Sequence, residues 1–158
     1  MTNKEIFEKL KAEFGDAIID LVEEQYFDAY INVAPEKILE ICLSLRDNAA
    51  FNFDYCVNLT GMDYKDSLGV VYHLRSMKHS HTIVIKVKLS KESPKIDSVE
   101  RVWRTADWHE REAFDMYGIE FVGHHNMIRI LCPYDWEGYP LRKDYVFPEE
   151  YHGMKVPN

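Results

Sequence analysis

Cysteine is scarce. The three thiols of the 158 residues, Cys42, Cys56 and Cys132, stand far apart and form neither a CxxC pair nor an iron–sulfur spacing. An odd, scattered set describes reduced structural thiols and leaves no thiolate machinery for holding electrons. Long apolar runs are missing too. No window approaches the roughly 18 consecutive apolar residues of a membrane-spanning helix. The opening MTNKEIFEKLKAEFGD is a charged amphipathic pattern without the apolar stretch of a secretion signal. A soluble, cytoplasmic chain is the expectation. Positive charge is in deficit: 19 Lys and Arg against 27 Asp and Glu give a net charge of −8. This excludes the clustered cations that nucleic acid or anionic lipid select. There is no GxSxG elbow, no GxxxxGK phosphate cradle and no GxGxxG after a strand.

What is present is core material. Hydrophobic residues make up 46% and aromatics 13%, too rich for a disordered chain, and the length suits one domain. Ile6, Phe7, Leu10 and Phe14 at three- and four-residue spacing, stopped by Gly15, predict a helix over 3–14. Residues 17–33 read as a hairpin of two short strands around Glu23–Gln25, with Phe27, Ala29, Ile31 and Val33 alternating against Tyr26, Asp28, Tyr30 and Asn32. Pro35 opens a second helix carrying Ile38, Leu39, Ile41, Cys42 and Leu45. Phe51, Phe53, Tyr55, Val57 and Leu59 alternate as one strand face ahead of a turn at Gly61 and Asp63. Val70, Tyr72 and Leu74, then Ile83, Ile85, Val87 and Leu89, predict two antiparallel strands joined at Lys78–Ser80. After the polar loop SKESPKIDS, the run from Ser98 to Tyr117 reads as helix, stopped by Gly118. The expected fold is α+β: a mainly antiparallel sheet of four or five strands covered by two or three helices over residues 1–132, with an extended irregular C-terminal arm over 133–158.

Chemistry-bearing residues concentrate in ADWHEREAFDMYGIEFVGHHNMIRIL, residues 106–131. His109 and Glu112, with His124 and His125 downstream, are the residues a metal-dependent hydrolase would use, but no HExxH is present and the spacing predicts no metal site. Asp107, Arg111 and Asp115 recur every four residues, so Arg111 is placed to pair with a carboxylate on either side. The alternative is that Glu110, Arg111 and Asp115 orient the following loop or cross an interface. No catalytic carboxylate pair emerges.

DWEGYPLRKDYVF, residues 135–147, breaks all periodicity. Gly138 and Pro140 force a turn, and Arg142, Lys143 and Asp144 present mixed charge among Trp136, Tyr139 and Tyr145. Arginine with aromatics in an irregular segment is interface composition.

ERExFDxYGIxFxGHxxxxRIL from Glu110 to Leu131, followed by DWEGYPLRKDY from Asp135 to Tyr145, resembles the 30 kDa subunit family of respiratory complex I, whose bacterial members are the C-type subunits of proton-pumping NADH:quinone oxidoreductase. The matching positions are Glu110, Arg111, Glu112, Asp115, Gly118, His124, Arg129, Trp136, Gly138, Pro140, Arg142, Lys143 and Asp144. His125 and Val146 stand where the family commonly has proline. The resemblance implies a non-catalytic subunit of the hydrophilic arm, without flavin, iron–sulfur cluster or quinone of its own. FMN, clusters and quinone would belong to partner subunits. It also implies that the arm lies against the 49 kDa-type D subunit, and that the chain attaches to the cytoplasmic side of the membrane through the complex. Replacing Arg142 and Asp144 is then expected to weaken assembly and leave the domain folded. Related subunits of ferredoxin- or F420-dependent quinone reductases and membrane-bound hydrogenases share the pattern.

Overall fold

The computed structural model describes residues 1–23 and 28–156. Helix α1, Asn3–Phe14, starts with a reciprocal cap. Thr2 Oγ1 accepts the Glu5 N–H, and Glu5 Oε2 accepts the Thr2 N–H at 2.8 Å. Its apolar stripe buries Ile6 and Leu10. Strand β1, Ile18–Val22, pairs antiparallel with β2, Tyr30–Val33. Of the hairpin's expected turn only Glu23 lies within the described residues, and the alternating positions Tyr26 and Phe27 fall outside them. Helix α2, Ile38–Asp47, follows a turn opened by Pro35 and buries Ile38, Ile41, Cys42 and Leu45.

Three long strands complete the sheet: β3, Tyr55–Asp63; β4, Ser67–Ser76; and β5, His81–Ser90. The order is β1-β2-β5-β4-β3. Every pairing is antiparallel except β2 with β5, where Ile31 lies opposite Ile85. One sheet face and the three helices share a single core, in which Leu10, Ile41, Leu45, Tyr72, Ile85 and Ala113 are all buried. The other face carries Asn32, Thr60, Val71, His73, Val84 and Lys86.

The structure departs from the sequence pattern in three places. The apparent strand face from Phe51 to Leu59 is divided: Phe51 and Phe53 are buried in turns before β3, while Tyr55 and Val57 are exposed. A register shift between Cys56 and Asn58 moves the inward set to Cys56, Leu59, Gly61 and Asp63. Gly61 and Asp63 therefore sit inside the strand rather than in a turn, and Gly61 lets the Tyr117 ring pack directly on the backbone. The last helix, α3, spans only Ala106–Tyr117; residues 98–105 form turns in which Trp103 Nε1 donates to Phe53 O at 2.8 Å and Thr105 Oγ1 to Cys56 O at 3.0 Å. Finally, the polar stretch before α3 contains β6, Lys95–Asp97, which pairs in parallel with β7, Glu120–Val122. The arm ends in a small hairpin of β8, Glu150–Tyr151, and β9, Met154–Lys155.

Candidate functional site

Helix α3 presents Asp115 to the backbone that follows it. Asp115 is fully buried, yet both oxygens have donors: Oδ2 accepts the N–H groups of Ile130, Leu131 and Cys132 at 3.0, 2.7 and 2.8 Å, and Oδ1 accepts Arg129 Nη1–H at 2.6 Å. Burial pushes this carboxyl upward, but the three amides and the guanidinium outweigh it and hold the group below the ordinary carboxylate range. Arg111 pairs with neither Asp107 nor Asp115. Its Nε donates to Ile128 O at 3.1 Å and its Nη2 to Arg129 O at 3.2 Å, so the guanidinium holds the loop instead of a helix-face carboxylate.

Gly118 ends α3 in the left-handed region at φ +70°. Its bare Cα is also a landing place: a Cβ there would meet the Tyr139 ring at 2.5 Å. Around that contact the arm is fastened down. Leu141 N–H donates to Met116 O at 3.1 Å, Arg142 Nε–H to Tyr117 O at 2.6 Å, and Arg129 Nη2–H to Gly138 O at 2.9 Å. Arg142 thus satisfies a carbonyl that the helix end leaves open while lying 4.7 Å from the Tyr139 ring centre. Lys143 enters through its backbone, donating to Asp63 Oδ2 at 2.8 Å, and Asp144 pairs with Lys91 at 3.1 Å. Trp136 Nε1–H donates to the Tyr145 hydroxyl at 3.0 Å, the Tyr145 ring lies against Gly138, and Pro140 is half-buried.

The arm leaves large apolar side chains in solvent despite these ties. Tyr134 is 93% exposed and Val146 85%, and Ile128, Leu131, Leu141 and Phe147 are each at least half exposed. Glu112 is exposed on α3.

A second cluster lies at the other end of α3. Glu110 is wholly buried; Oε2 accepts the Ser98 hydroxyl at 2.5 Å and Oε1 the Val99 N–H at 2.7 Å. Burial raises this carboxyl to about 8 against the pull of those two donors, with Glu100 and Asp107 adding like charge. His124, whose side chain has no exposed surface, places Nε2 3.2 Å from Asp107 Oδ1 and 4.0 Å from Glu110 Oε2. His125 stacks on it and reaches Glu100 Oε2 at 2.7 Å. His109 is elsewhere, its Nδ1 accepting the Leu59 N–H at 2.9 Å. The set His109, Glu112, His124 and His125 is therefore not assembled, which removes the hydrolase arrangement. Burial raises the Cys42 thiol strongly and that of Cys56 to about 12, the latter with help from Glu110, so neither is a nucleophile.

Sequence reasoning missed Asp63, Lys91, Ser98 and Glu100. Asp63 read as a turn residue and Ser98 and Glu100 as the start of a helix; only the tertiary fold brings them to this surface.

Residues 31–151 match the family model described as the 30 kDa subunit of respiratory-chain NADH dehydrogenase. The C-type subunit of NADH-quinone oxidoreductase from Chloroherpeton thalassium is 49% identical over 150 residues, which cover 94% of this chain and 62% of that protein. The chain thus spans less than two thirds of that relative's length. The protein of the same name from Chlorobium phaeobacteroides is 42% identical over 96% of this chain and 93% of its own. Two solved structures share the fold: a trypsin-resistant fragment of Nqo5 (TM-score 0.66, 22% identity, 80% of this chain and 99% of that one) and a chain of an archaeal membrane-bound sulfane sulfur reductase (TM-score 0.74, 20% identity, 90% and 85%). Among the described residues no helix is long and apolar enough to cross a membrane.

Proposed function

The chain belongs to the 30 kDa subunit family of respiratory-chain NADH dehydrogenase, and from that membership we propose that it is a non-catalytic, redox-cofactor-free subunit in the hydrophilic arm of a proton-pumping NADH:quinone oxidoreductase. FMN, iron–sulfur clusters and quinone would be held by its partners. It would sit on the cytoplasmic side of the membrane, attached through the complex, with the 49 kDa-type D subunit against its C-terminal arm.

The observation that carries this reading is the arm itself. A segment with solvent-exposed Tyr134 and Val146 is nonetheless fixed to α3 by Arg129, Tyr139, Leu141 and Arg142. Holding apolar side chains in a defined outward shape lowers the ordering entropy a partner must overcome.

Co-expression of the tagged chain with the D-type subunit, followed by size-exclusion chromatography, tests it. The two should elute together at one-to-one stoichiometry, and the isolated chain should not oxidise NADH. NADH oxidation by the chain alone, or co-elution unaffected by deleting residues 133–158, would overturn the reading.

A further inference from the structure

We propose that Glu100, Asp107, His124 and His125 form a structural divalent-cation site of the zinc class, fastening the loop after β7 to the first turn of α3. One ligand atom from each residue lies within 4.8 Å of all the others. The four come from three places in the chain: the turn before α3, the first turn of α3, and the loop after β7. Such convergence is set by the fold and not by a charged run. Two members are held firmly, since the side chains of Glu100 and His124 are 1% and 0% exposed. His125, 49% exposed, closes the outer side.

The contacts mark where a cation would enter. His125 Nδ1 and Glu100 Oε2 are 2.7 Å apart, His124 Nε2 and Asp107 Oδ1 3.2 Å, and His125 Nε2 and Asp107 Oδ2 3.9 Å. The two shorter are nitrogen–oxygen pairs bridged by a proton, and a metal replaces such protons. Tetrahedral zinc with bonds of about 2.0–2.2 Å separates its ligand atoms by roughly 3.3–3.6 Å, so a pair at the 4.8 Å limit must close by roughly 1.2–1.5 Å. The half-exposed His125 side chain is free to make that movement. Two carboxylates and two neutral imidazoles balance a divalent cation, and paired imidazoles favour zinc, cobalt or nickel over calcium or magnesium. The arginines beside Glu100, Arg104 at 3.3 Å and Arg101 at 3.9 Å, are both 80% exposed and able to swing away.

Binding must change the tautomer of His124. His124 Nδ1 accepts the Asn126 N–H at 3.1 Å, so in the metal-free state Nε2 carries the hydrogen, directed at Asp107 O and Oδ1. On metal binding that proton leaves Nε2, Nδ1 becomes the protonated nitrogen, and the exposed Asn126 amide turns to water. A redox-inert cation here is compatible with a subunit that carries no electrons, and the proposal does not depend on that function.

The test is a titration of the full chain, stripped with chelator, with Co²⁺ as a spectroscopic stand-in for Zn²⁺. One equivalent should give tetrahedral ligand-field absorption that Zn²⁺ abolishes, together with a raised melting temperature. His125→Ala and Asp107→Asn should weaken Co²⁺ binding by roughly 100-fold, at least the loss typical of disturbing a metal's supporting shell. His152→Ala, in a surface histidine–carboxylate pair with Asp135 at 2.8 Å, should leave it unchanged. Absence of saturable one-to-one binding by the unaltered chain, or equal affinity in the His125→Ala and Asp107→Asn chains, would overturn the site.

Discussion

Asp115 and Arg129 join the last turns of α3 to the start of the arm through a 2.6 Å ion pair, and the same carboxylate caps the amides of residues 130–132. One buried side chain therefore sets both where the chain leaves the domain and in which direction. Fully buried and accepting four hydrogen bonds from within the chain, this carboxylate positions the backbone around it.

Asp115→Ala removes the acceptor and strands a guanidinium and three amides, a loss of about 3–5 kcal/mol by analogy with breaking other buried pairs. The pH dependence has a definite sign. The folded carboxyl titrates below its ordinary 3.8, so its stabilisation is complete above that value and disappears as pH falls through the folded pKa. Urea unfolding at pH 7 and in the acid range should show wild type converging on the variant as pH drops. A variant within 1 kcal/mol of wild type at pH 7, roughly one ordinary hydrogen bond, contradicts the assignment.

The sequence made the long strands legible because Val70, Tyr72 and Leu74 in β4, and Ile83, Ile85, Val87 and Leu89 in β5, recur at every second residue. It concealed the parallel contacts of β2 with β5 and β6 with β7, since no local feature of a three- or four-residue strand names a distant partner. The bulge at Cys56 misled in a different way: Phe51 to Leu59 alternate perfectly in letters, but one inserted residue exchanges the faces. In the site, spacing suggested a carboxylate partner for Arg111, and unsatisfied loop carbonyls outcompeted it. Glu110 was legible as part of a motif, but not as a buried group, because burial belongs to the assembled core.

Glu110→Gln should alter the pH profile of stability. A carboxyl raised from 4.5 to about 8 on folding binds its proton more tightly in the native state, so stability falls as pH climbs from the unfolded to the folded value. Glutamine keeps an acceptor for Ser98 or Val99 and never ionises. Melting temperatures measured with chelator present should therefore drop between pH 6 and pH 9 in wild type and much less in the variant, leaving the variant the more stable chain at pH 9. Parallel profiles would show that Glu110 ionises as readily folded as unfolded.

Gly118→Ala combines a left-handed backbone with a collision against the Tyr139 ring. The strain of a non-glycine residue there is of order 1–3 kcal/mol, and relief comes most readily by lifting the arm. The expected signature is selective: faster proteolysis between residues 133 and 156, with amide protection in β3–β5 retained. Uniform destabilisation of the sheet would place the glycine's role elsewhere.

Partner contact is better probed at exposed arm residues than at Arg142, whose Nε–H is committed to Tyr117 O. Arg142→Ala with Asp144→Ala would undock the arm from its own domain and confound assembly with folding, contrary to what the sequence alone suggested. Tyr134 and Val146 are 93% and 85% exposed, so Tyr134→Asp and Val146→Asp should change the isolated chain's stability by no more than about 0.5 kcal/mol. In the complex, a charge placed in a desolvated contact costs several kcal/mol unless it is paired. The expected result is normal melting with at least a tenfold fall in affinity for the D-type subunit, about 1.4 kcal/mol, measured by calorimetry. Unchanged affinity in both variants would mean that the partner approaches from another face, most directly the sheet face that carries Thr60, Val71 and Lys86.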